Sequence, residues 1–310
     1  MPAPRAVVFA YHDVGVRCLK TLLSGGVEIP LVVTVADDPN ELQWFGSVAA
    51  TAADHGLSVA TPASADTAEL ERTIAALSPD FIFSFYYRSM LGPGVLNAAR
   101  RGALNMHGSL LPRYRGRAPV NWAILRGELE TGATLHYMVA RADAGDIVDQ
   151  LAVPILRDDD AREVFGKVTV AAEIVLARSL PGLMAGTAPR RPQPLEPGHY
   201  FGRRRAEDGR IDWSRPALEI HNLVRAVAPP FPGAFTVVRD EQWWIHKTRL
   251  EAHRRAPPGK GATLFGADGR CYVRCCDGAV LQLMSAATAA GPLDLRIAAG
   301  LLQTSPLSLD

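Results

Sequence analysis

The stretch that decides the fold is Phe81–Phe85 (FIFSF), which is followed by a helical segment at 95–100 and then by Gly102–Met106 (GALNM). Both apolar runs are short and are bounded by turn residues, as is typical of strands. A strand, a helix and a second strand in this order indicate a parallel sheet. Two earlier apolar runs, Ala6–Ala10 and Leu31–Val35, extend the alternation. The sequence therefore predicts a doubly wound, Rossmann-like α/β sheet.

The composition changes near residue 186. The segment Gly186–Gly198 (GTAPRRPQPLEPG) contains four prolines and has no periodicity, which favours a linker. Beyond it come short strand-like runs separated by glycine and proline turns, namely Gly233–Val238, Gln242–Lys247, Cys271–Cys275 and Ala279–Met284. We therefore predict an α/β domain over residues 1–185, a Pro/Arg-rich linker over 186–205 and a small β barrel or sandwich over 206–310.

Composition excludes several classes of protein. The 310 residues carry 33 Lys and Arg against 32 Asp and Glu, a formal net charge of +1, so there is no bulk attraction to nucleic acid or to anionic membranes. No apolar run reaches the roughly 18 residues that span a bilayer. The four cysteines form no C-x-x-C pair, and neither a G-x-G-x-x-G motif after the first strand nor a P-loop is present. These features predict a cytoplasmic protein without a zinc site, a disulfide framework or a dinucleotide.

Polar side chains follow the Gly102–Met106 strand, where residues 104–119 read LNMHGSLLPRYRGRAP. Asn105 and His107 are two positions apart, so both project from the same face of an extended strand at its carboxyl end. An asparagine amide can donate a hydrogen bond to a developing oxyanion, and a histidine can move a proton near neutral pH. This pair suits acyl transfer to an amine.

A carboxylate would complete this arrangement. After the strand-like run Thr134–Val139, residues 141–146 read RADAGD, and either Asp143 or Asp146 can approach His107. A carboxylate beside an imidazole holds the ring in one tautomer. His136 lies inside the strand pattern and is interpreted as structural, and the remaining histidines have no comparable neighbours.

These motifs resemble the 10-formyltetrahydrofolate-dependent formyltransferases. The resemblance rests on the Asn105-x-His107 pair, the HGSLLPxYRG run, the DAGD element and the later Gly209–Trp213 run (GRIDW), and it covers essentially the whole chain. It implies an α/β catalytic domain followed by a small OB-like β domain. By the same resemblance, Asn105 polarises the formyl carbonyl, His107 accepts or relays the proton of the amine, and Asp143 holds His107.

The resemblance also implies 10-formyltetrahydrofolate as co-substrate and no metal. The folate is expected to lie against the backbone of two segments, whose residues are Ser89, Met90 and Leu91 in the first and Val139, Ala140, Arg141, Ala142 and Asp143 in the second.

Members of this family differ in the amine that they formylate: methionyl-tRNA, nucleotide-linked amino sugars or glycinamide ribonucleotide. Here Phe9–Gly15 (FAYHDVG), Ser84–Arg88 (SFYYR) and Tyr114–Trp122 (YRGRAPVNW) look most like the formyltransferases for UDP-4-amino-4-deoxy-L-arabinose, which serve lipid A modification and polymyxin resistance. The best-known of these enzymes is often fused to a decarboxylase domain. This chain resembles only the formyltransferase part, so we expect a separate protein to perform the oxidation.

A sugar nucleotide needs few cationic contacts. Arg117 is the first candidate to pair with its diphosphate, with Arg88, Arg203 and Arg204 as alternatives. Tyr86, Tyr87 or Trp122 would supply aromatic packing around the sugar or the uracil.

The distribution of charge argues against a tRNA substrate. Residues 21–71 contain no Lys or Arg but eight acids, and the place where tRNA-specific relatives carry a basic loop reads Asp37–Glu41 (DDPNE). Residues 206–310 carry 12 Lys and Arg against 11 Asp and Glu. We therefore expect a folate and a sugar nucleotide as partners, without nucleic acid or membrane insertion. The alternatives are a methionyl-tRNA formyltransferase and an N-formyltransferase for another nucleotide-linked amino sugar.

Overall fold

The computed structural model describes residues 3–36, 43–195 and 200–309. The acidic segment Asp37–Glu41 and residues 196–199 of the predicted linker lie outside the described residues. The chain folds into two compact units, of which the first spans Met1–Pro119, Glu130–Pro154 and Gly166–Gly202, and the second spans Val120–Leu129, Ile155–Phe165 and Arg203–Asp310. The domain boundaries at residues 185 and 206 stay predictions.

The elements up to residue 201 are strands and helices, and those up to residue 107 alternate strictly between the two. In chain order they are β1 (Arg5–Ala10), α1 (His12–Ser24), β2 (Glu28–Val33), α2 (Val48–Asp54), β3 (Val59–Ala60), α3 (Ala68–Leu77), β4 (Phe81–Phe85), α4 (Pro93–Asn97), β5 (Gly102–His107), β6 (Arg115–Gly116), α5 (Pro119–Leu125), β7 (Glu130–Tyr137), β8 (Ile147–Pro154), α6 (Ala161–Ala185) and β9 (Tyr200–Phe201).

The first unit is built on one sheet with the strand order β3-β2-β1-β4-β5-β7-β8 over the described residues. The five strands from β3 to β5 are parallel, and all five residues of β4 are buried, which explains its continuous apolar run. The neighbours of β1 are β2 on one side and β4 on the other, so the strand order reverses there, and open α/β sheets bind ligands at such a point. The predicted doubly wound sheet is confirmed.

Two antiparallel strands extend this sheet beyond β5. Strand β7 pairs with β5 so that Asn105 lies opposite His136 and His107 opposite Thr134, and β8 then pairs antiparallel with β7. This register brings the loop after β7 into the same region as the polar residues of β5.

By length and composition, helix α6 is long and apolar enough to cross a membrane. No other helix in the described part of the chain meets this test. The sequence patterns did not predict this property. Core helices of water-soluble proteins pass the same test. Here Val168, Val175 and Leu176 are buried, and Arg17 donates to Glu173 with an Nε–Oε2 distance of 2.7 Å. The apolar side of α6 therefore packs into the protein, and its charged side forms ion pairs.

The second unit is an antiparallel near-barrel. Its elements after the 3₁₀ turn Ala206–Gly209 are α7 (Ala217–Ala226), β10 (Ala234–Val238), β11 (Glu241–Glu251), β12 (Ala262–Ala267), β13 (Arg270–Arg274), β14 (Val280–Thr288), β15 (Gly291–Pro292), α8 (Leu295–Thr304) and β16 (Leu307–Leu309). The strand order is β10-β11-β14-β13-β12-β16, with β15 against β14. This architecture confirms the predicted OB-like β domain.

The sequence patterns did not predict the strands β12, β15 and β16 or the helices α7 and α8 of this unit. Strand β12 contains Gly266, where an added Cβ would lie 1.9 Å from the carbonyl oxygen of Ala299 in α8. The glycine therefore permits a helix to pack on the strand, although from sequence alone it weakens the strand pattern.

Candidate active site

Residues with a left-handed backbone surround the polar end of β5. His12 (φ 66°) follows β1, Tyr86 (φ 57°) follows β4, Tyr114 (φ 56°) lies in the segment after β5, and Asp143 (φ 52°) lies in the loop after β7. Non-glycine residues adopt this conformation at a cost of about 1–3 kcal/mol each, so surrounding contacts must hold them. Such residues cluster at functional sites, which makes this region the candidate.

Strand β5 delivers both predicted catalytic side chains. His107 is only 6% exposed, and its Nε2 lies 2.8 Å from the carbonyl oxygen of Tyr114. Because a carbonyl can only accept, Nε2 carries the hydrogen and donates it. The other ring nitrogen, Nδ1, lies 3.7 Å from Oδ1 of Asp143. Nδ1 is therefore the nitrogen of His107 that is left to exchange a proton.

Asp143 lies between two imidazoles. Its Oδ2 accepts a hydrogen bond of 2.9 Å from the backbone N–H of Gly116, and its Oδ1 lies 3.6 Å from Nε2 of His136 as well as close to His107. Burial by itself raises the pKa of the Asp143 carboxyl. The His107 and His136 imidazoles and the Gly116 N–H outweigh burial and hold this pKa well below its usual range. Asp143 is consequently a carboxylate at neutral pH.

The sequence left the choice between Asp143 and Asp146 open. In the structure Asp143 faces His107, whereas Asp146 forms an ion pair with Arg190 at an Nε–Oδ2 distance of 3.4 Å. The carboxylate at the end of β5 is thus Asp143.

His136 belongs to this cluster, although the sequence analysis interpreted it as structural. Its Nε2 lies 3.2 Å from Nδ2 of Asn105, and its Nδ1 donates to the carbonyl oxygen of Tyr137 over 2.8 Å. The antiparallel pairing of β5 with β7 places His136 opposite Asn105. The sequence alone does not show which strand pairs with β5, so it gave no sign of this contact.

Two further residues shape the loop that carries Asp143. Gly145 packs against the Tyr137 carbonyl, where an added Cβ would lie 2.0 Å from the oxygen. Gln193 donates from Nε2 to the carbonyl oxygens of Asp143 at 3.1 Å and Gly145 at 2.6 Å. Gln193 lies in the segment predicted to be a linker, and the backbone N–H of Arg191 nearby donates to the carbonyl oxygen of Ile147 in β8 over 2.9 Å. The described part of this segment therefore packs on the first unit.

The predicted folate-binding segments lie on the surface of the first unit. Ser89 and Met90 are exposed, as are Val139, Ala140 and Arg141, whereas Ala142 is partly buried. Leu91 packs into the apolar core, so only its backbone is free to meet a ligand. The assignment of these residues to folate remains a proposal.

The structure brings two of the four candidate arginines together. Arg117 is exposed and donates from Nη2 to the carbonyl oxygen of Arg88 over 3.4 Å, and the Arg88 guanidinium lies 4.5 Å from the ring centroid of Tyr11.

The hydroxyl of Tyr86 packs against Gly108, where an added Cβ would lie 1.8 Å from that oxygen. Gly108 therefore gives the turn after His107 the room it requires.

Tyr87, the second aromatic candidate, packs its ring edge against Phe9 at 5.2 Å. Arg203, Arg204 and Trp122 belong to the second unit, in which the Arg204 guanidinium lies 5.0 Å from the Trp122 ring centroid.

His12, for which the sequence gives no role, belongs to a group of aromatic rings at the point where the strand order reverses. Its ring stacks on Phe45 with a centroid distance of 3.9 Å and meets the Trp44 ring edge-on at 4.5 Å. Burial and the Arg88 charge lower the pKa of His12 to about 3, and its Nδ1 accepts from the backbone N–H of Asp13 over 2.9 Å. His12 is therefore a neutral aromatic surface near neutral pH.

No group of three or more His, Cys, Asp or Glu side chains among the described residues is arranged to hold a metal ion. The chemistry available at the end of β5 is hydrogen bonding by an amide, proton exchange by an imidazole and stabilisation by one partly buried carboxylate.

Comparison with solved structures shows the same fold. The chain is similar to WlaRD, a sugar 3N-formyl transferase solved in the presence of dTDP and 5-N-formyl-THF, with a TM-score of 0.72, 20% identity and coverage of 95% of this chain and 99% of that chain. It is also similar to an N-formyltransferase from Helicobacter canadensis in complex with folinic acid and dTDP-3-aminofucose, with a TM-score of 0.71, 21% identity and coverage of 91% and 99%.

A third similar structure is HypX from Aquifex aeolicus in complex with tetrahydrofolic acid. Its TM-score is 0.64 at 19% identity, and the match covers 100% of this chain and 49% of HypX. At these identities the likeness concerns the fold.

The family follows from models of its two domains. Residues 6–180 match the model described as formyl transferase, and residues 204–289 match the model described as formyl transferase, C-terminal domain. The first match alone spans more than half of the 310 residues. It confirms the family predicted from the sequence: the chain belongs to the formyl transferases.

Proposed function

We propose that this formyl transferase moves a formyl group from 10-formyltetrahydrofolate to the 4-amine of UDP-4-amino-4-deoxy-L-arabinose. The observation that carries the proposal is the convergence of Asn105, His107 and Asp143 at the end of β5, with distances of 3.7 Å from His107 to Asp143 and of 3.6 Å from Asp143 to His136. This convergence supplies the amide, the imidazole and the carboxylate that acyl transfer to an amine needs.

In this scheme the folate supplies an activated formyl group, and the protein supplies positioning and proton transfer. A bond forms between the amine nitrogen and the formyl carbon, the bond from that carbon to N10 of the folate breaks, and one proton passes from the amine to N10. Asn105 donates from Nδ2 to the formyl oxygen as negative charge develops there. Nδ1 of His107 takes up the proton, and the Asp143 carboxylate stabilises the imidazolium that forms.

The surroundings of the reversal point support a nucleotide-linked sugar as the acceptor. Arg88 and Arg117 lie next to each other, and an arginine pair can hold a diphosphate through several charge-assisted hydrogen bonds. Tyr11, His12 and Phe45 add neutral aromatic surface beside Arg88, and such surface packs against a sugar or a base. The contacts need no extended basic face, in keeping with the net charge of +1.

The choice of UDP-4-amino-4-deoxy-L-arabinose rests on the FAYHDVG, SFYYR and YRGRAPVNW segments. With this substrate the protein would act in lipid A modification, and thus in polymyxin resistance. A dTDP-linked amino sugar is the second candidate, because two similar structures are named for dTDP or dTDP-3-aminofucose.

The test is a competition among acceptors. The protein is incubated with 10-formyltetrahydrofolate and, separately, with UDP-4-amino-4-deoxy-L-arabinose, a dTDP-linked amino sugar and methionyl-tRNA, and the formamide is measured by mass spectrometry. We expect the UDP sugar to give the highest kcat/KM. A higher kcat/KM for the dTDP sugar would move the assignment within the sugar class, and salt-sensitive formylation of methionyl-tRNA alone would overturn the sugar class itself. Release of formate without any acceptor would indicate a hydrolase.

A further inference from the structure

We propose that His136 is a positioning residue, whose ring donates from Nδ1 to the Tyr137 carbonyl oxygen and uses Nε2 to orient the Asn105 amide toward the formyl oxygen. The inference deepens the proposed function and rests on it for the identity of the reaction. It adds to the predicted catalytic residues a second histidine that acts through Asn105.

The hydrogen bonds of His136 determine its tautomer. The ring is 1% exposed, so water does not compete for its nitrogens, and Nδ1 lies 2.8 Å from the Tyr137 carbonyl oxygen. A carbonyl accepts only, so Nδ1 must carry a hydrogen. With its hydrogen on Nδ1, the ring has Nε2 as the nitrogen that can accept a hydrogen bond.

That donor is the side chain of Asn105. Its Nδ2 lies 3.2 Å from Nε2 of His136. The opposite orientation of the amide would place the Oδ1 lone pairs against the bare Nε2, which leaves two buried acceptors facing each other. His136 therefore holds Nδ2 inward through one hydrogen and leaves the second hydrogen of the same nitrogen for the substrate.

The backbone of Asn105 does not provide this orientation. Pairing between β5 and β7 places Asn105 opposite His136, but a terminal amide rotates in a broad, two-fold torsional well. Without a partner that distinguishes nitrogen from oxygen, both orientations are populated, and one of them presents an acceptor to the developing oxyanion. Loss of this positioning is expected to lower the rate by about 10- to 100-fold.

The charged neighbour of His136 is Asp143. Its Oδ1 lies 3.6 Å from Nε2 of His136 and 3.7 Å from Nδ1 of His107. A hydrogen on Nε2 of His136 would point toward Asp143 and displace the Nδ2 hydrogen of Asn105. The amide would then turn over and present its oxygen to the formyl group, so the positioning role requires that Nε2 accepts.

The experiment compares His136→Phe with His136→Gln. Phenylalanine fills the space without an acceptor, whereas the glutamine oxygen can accept from Asn105. We expect His136→Phe to lower kcat by about 10- to 100-fold with KM for both substrates within about twofold. His136→Gln should recover most of kcat. Equal losses of kcat in the two variants, or a loss in KM alone, would overturn the proposal.

A buried histidine of the second unit supplies the matched control. His221 is 2% exposed and has partners on both nitrogens, yet it lies outside the cluster at β5. His221→Phe should lower thermal stability and leave kcat unchanged. A loss of kcat in this control as large as in His136→Phe would mean that the loss reflects general destabilisation.

A spectroscopic readout separates this inference from the proposed function. Nitrogen-15 NMR of the ligand-free protein should show His136 with its hydrogen on Nδ1 at neutral pH, and the Asn105 amide signal should shift in His136→Phe. A hydrogen on Nε2 would refute the positioning role even if the transferase reaction is observed. Conversely, absence of formyl transfer to the UDP sugar together with the Nδ1 tautomer would reject only the proposed substrate.

Discussion

Buried histidines in the two units have different surroundings. In the first unit His107 and His136 each donate to a backbone carbonyl and turn the other nitrogen toward the same oxygen of Asp143, at 3.7 and 3.6 Å. In the second unit the nitrogens of His221 lie 2.9 Å from Thr248 Oγ1 and 3.1 Å from the Arg157 carbonyl oxygen. Burial lowers the pKa of His221. The first arrangement keeps a nitrogen available for proton exchange, and the second does not.

Like His221, the buried Arg274 of the second unit has hydrogen-bond partners at its polar atoms. The Arg274 guanidinium, in a residue 5% exposed, donates to the carbonyl oxygens of Pro257, Lys260 and Gly261 and to Thr263 Oγ1, at 2.6 to 3.2 Å. We call this group the Arg274 cluster. It shows that burial with complete hydrogen bonding marks a structural group, whereas convergence of titratable groups on one carboxylate marks the candidate active site.

The largest expected effect is a loss of kcat when the polar side chains of β5, in the first unit, are removed. Asn105→Ala and His107→Ala should each lower kcat by at least about 10²-fold, because each removes a group that acts only as charge and protons move. Steady-state kinetics with the formyl donor and the sugar acceptor measure this, with thermal melting as the control for folding. Turnover near that of the unmodified protein in either variant would refute the assigned role.

Asp143→Asn removes the negative charge that lies close to both His107 and His136. We expect kcat to fall by about 10²-fold and the acidic limb of the rate profile to shift, since the carboxylate no longer stabilises the imidazolium. Because the folded state lowers the pKa of Asp143, its carboxylate stabilises the fold above the unfolded value of about 4, and this contribution is lost as the pH falls below it. Melting temperatures between neutral and acidic pH should therefore decline less in Asp143→Asn than in the unmodified protein. Parallel curves would show that Asp143 has no such linkage.

Arg274→Met should lower the stability of the protein without lowering kcat, the reverse of what we expect for Asn105→Ala and His107→Ala. The substitution keeps an unbranched apolar stem but removes the guanidinium and leaves several carbonyl groups without donors, so the free energy of unfolding should fall by about 1–3 kcal/mol. Values of kcat measured well below the melting temperature should not change. A fall in kcat without a fall in stability would contradict the structural assignment of the Arg274 cluster.

Gln193→Ala is expected to have the smallest effect on kcat among the substitutions near Asp143. It removes the two hydrogen bonds that hold the carbonyls of Asp143 and Gly145, worth about 1 kcal/mol each, and should lower kcat by only a few-fold. Gln193→Glu is the matched variant, because it keeps the size of the side chain but replaces the donor with an acceptor. If both variants retain full kcat, the loop that carries Asp143 is held without Gln193.

The predictable part of the fold is the part where local pattern and burial agree. Every residue of Phe81–Phe85 is buried on a central strand, so its continuous apolar run predicted β4 with the correct bounds. In the second unit, β12 includes a glycine that makes room for α8, and the apolar side of α8 forms only by packing on β12 and β13. Those elements were missed because their stability comes from each other more than from their own patterns.

The sequence by itself determined that Asn105 and His107 share one face of a strand, because successive side chains in any extended strand alternate with a period of two. Only the tertiary structure decided that Asp143 faces His107 while Asp146 pairs with Arg190, and that His136, 31 residues along the chain, meets Asn105. The reason is that these contacts depend on which strand pairs with β5 and in which register, and the partner strand β7 lies far along the chain.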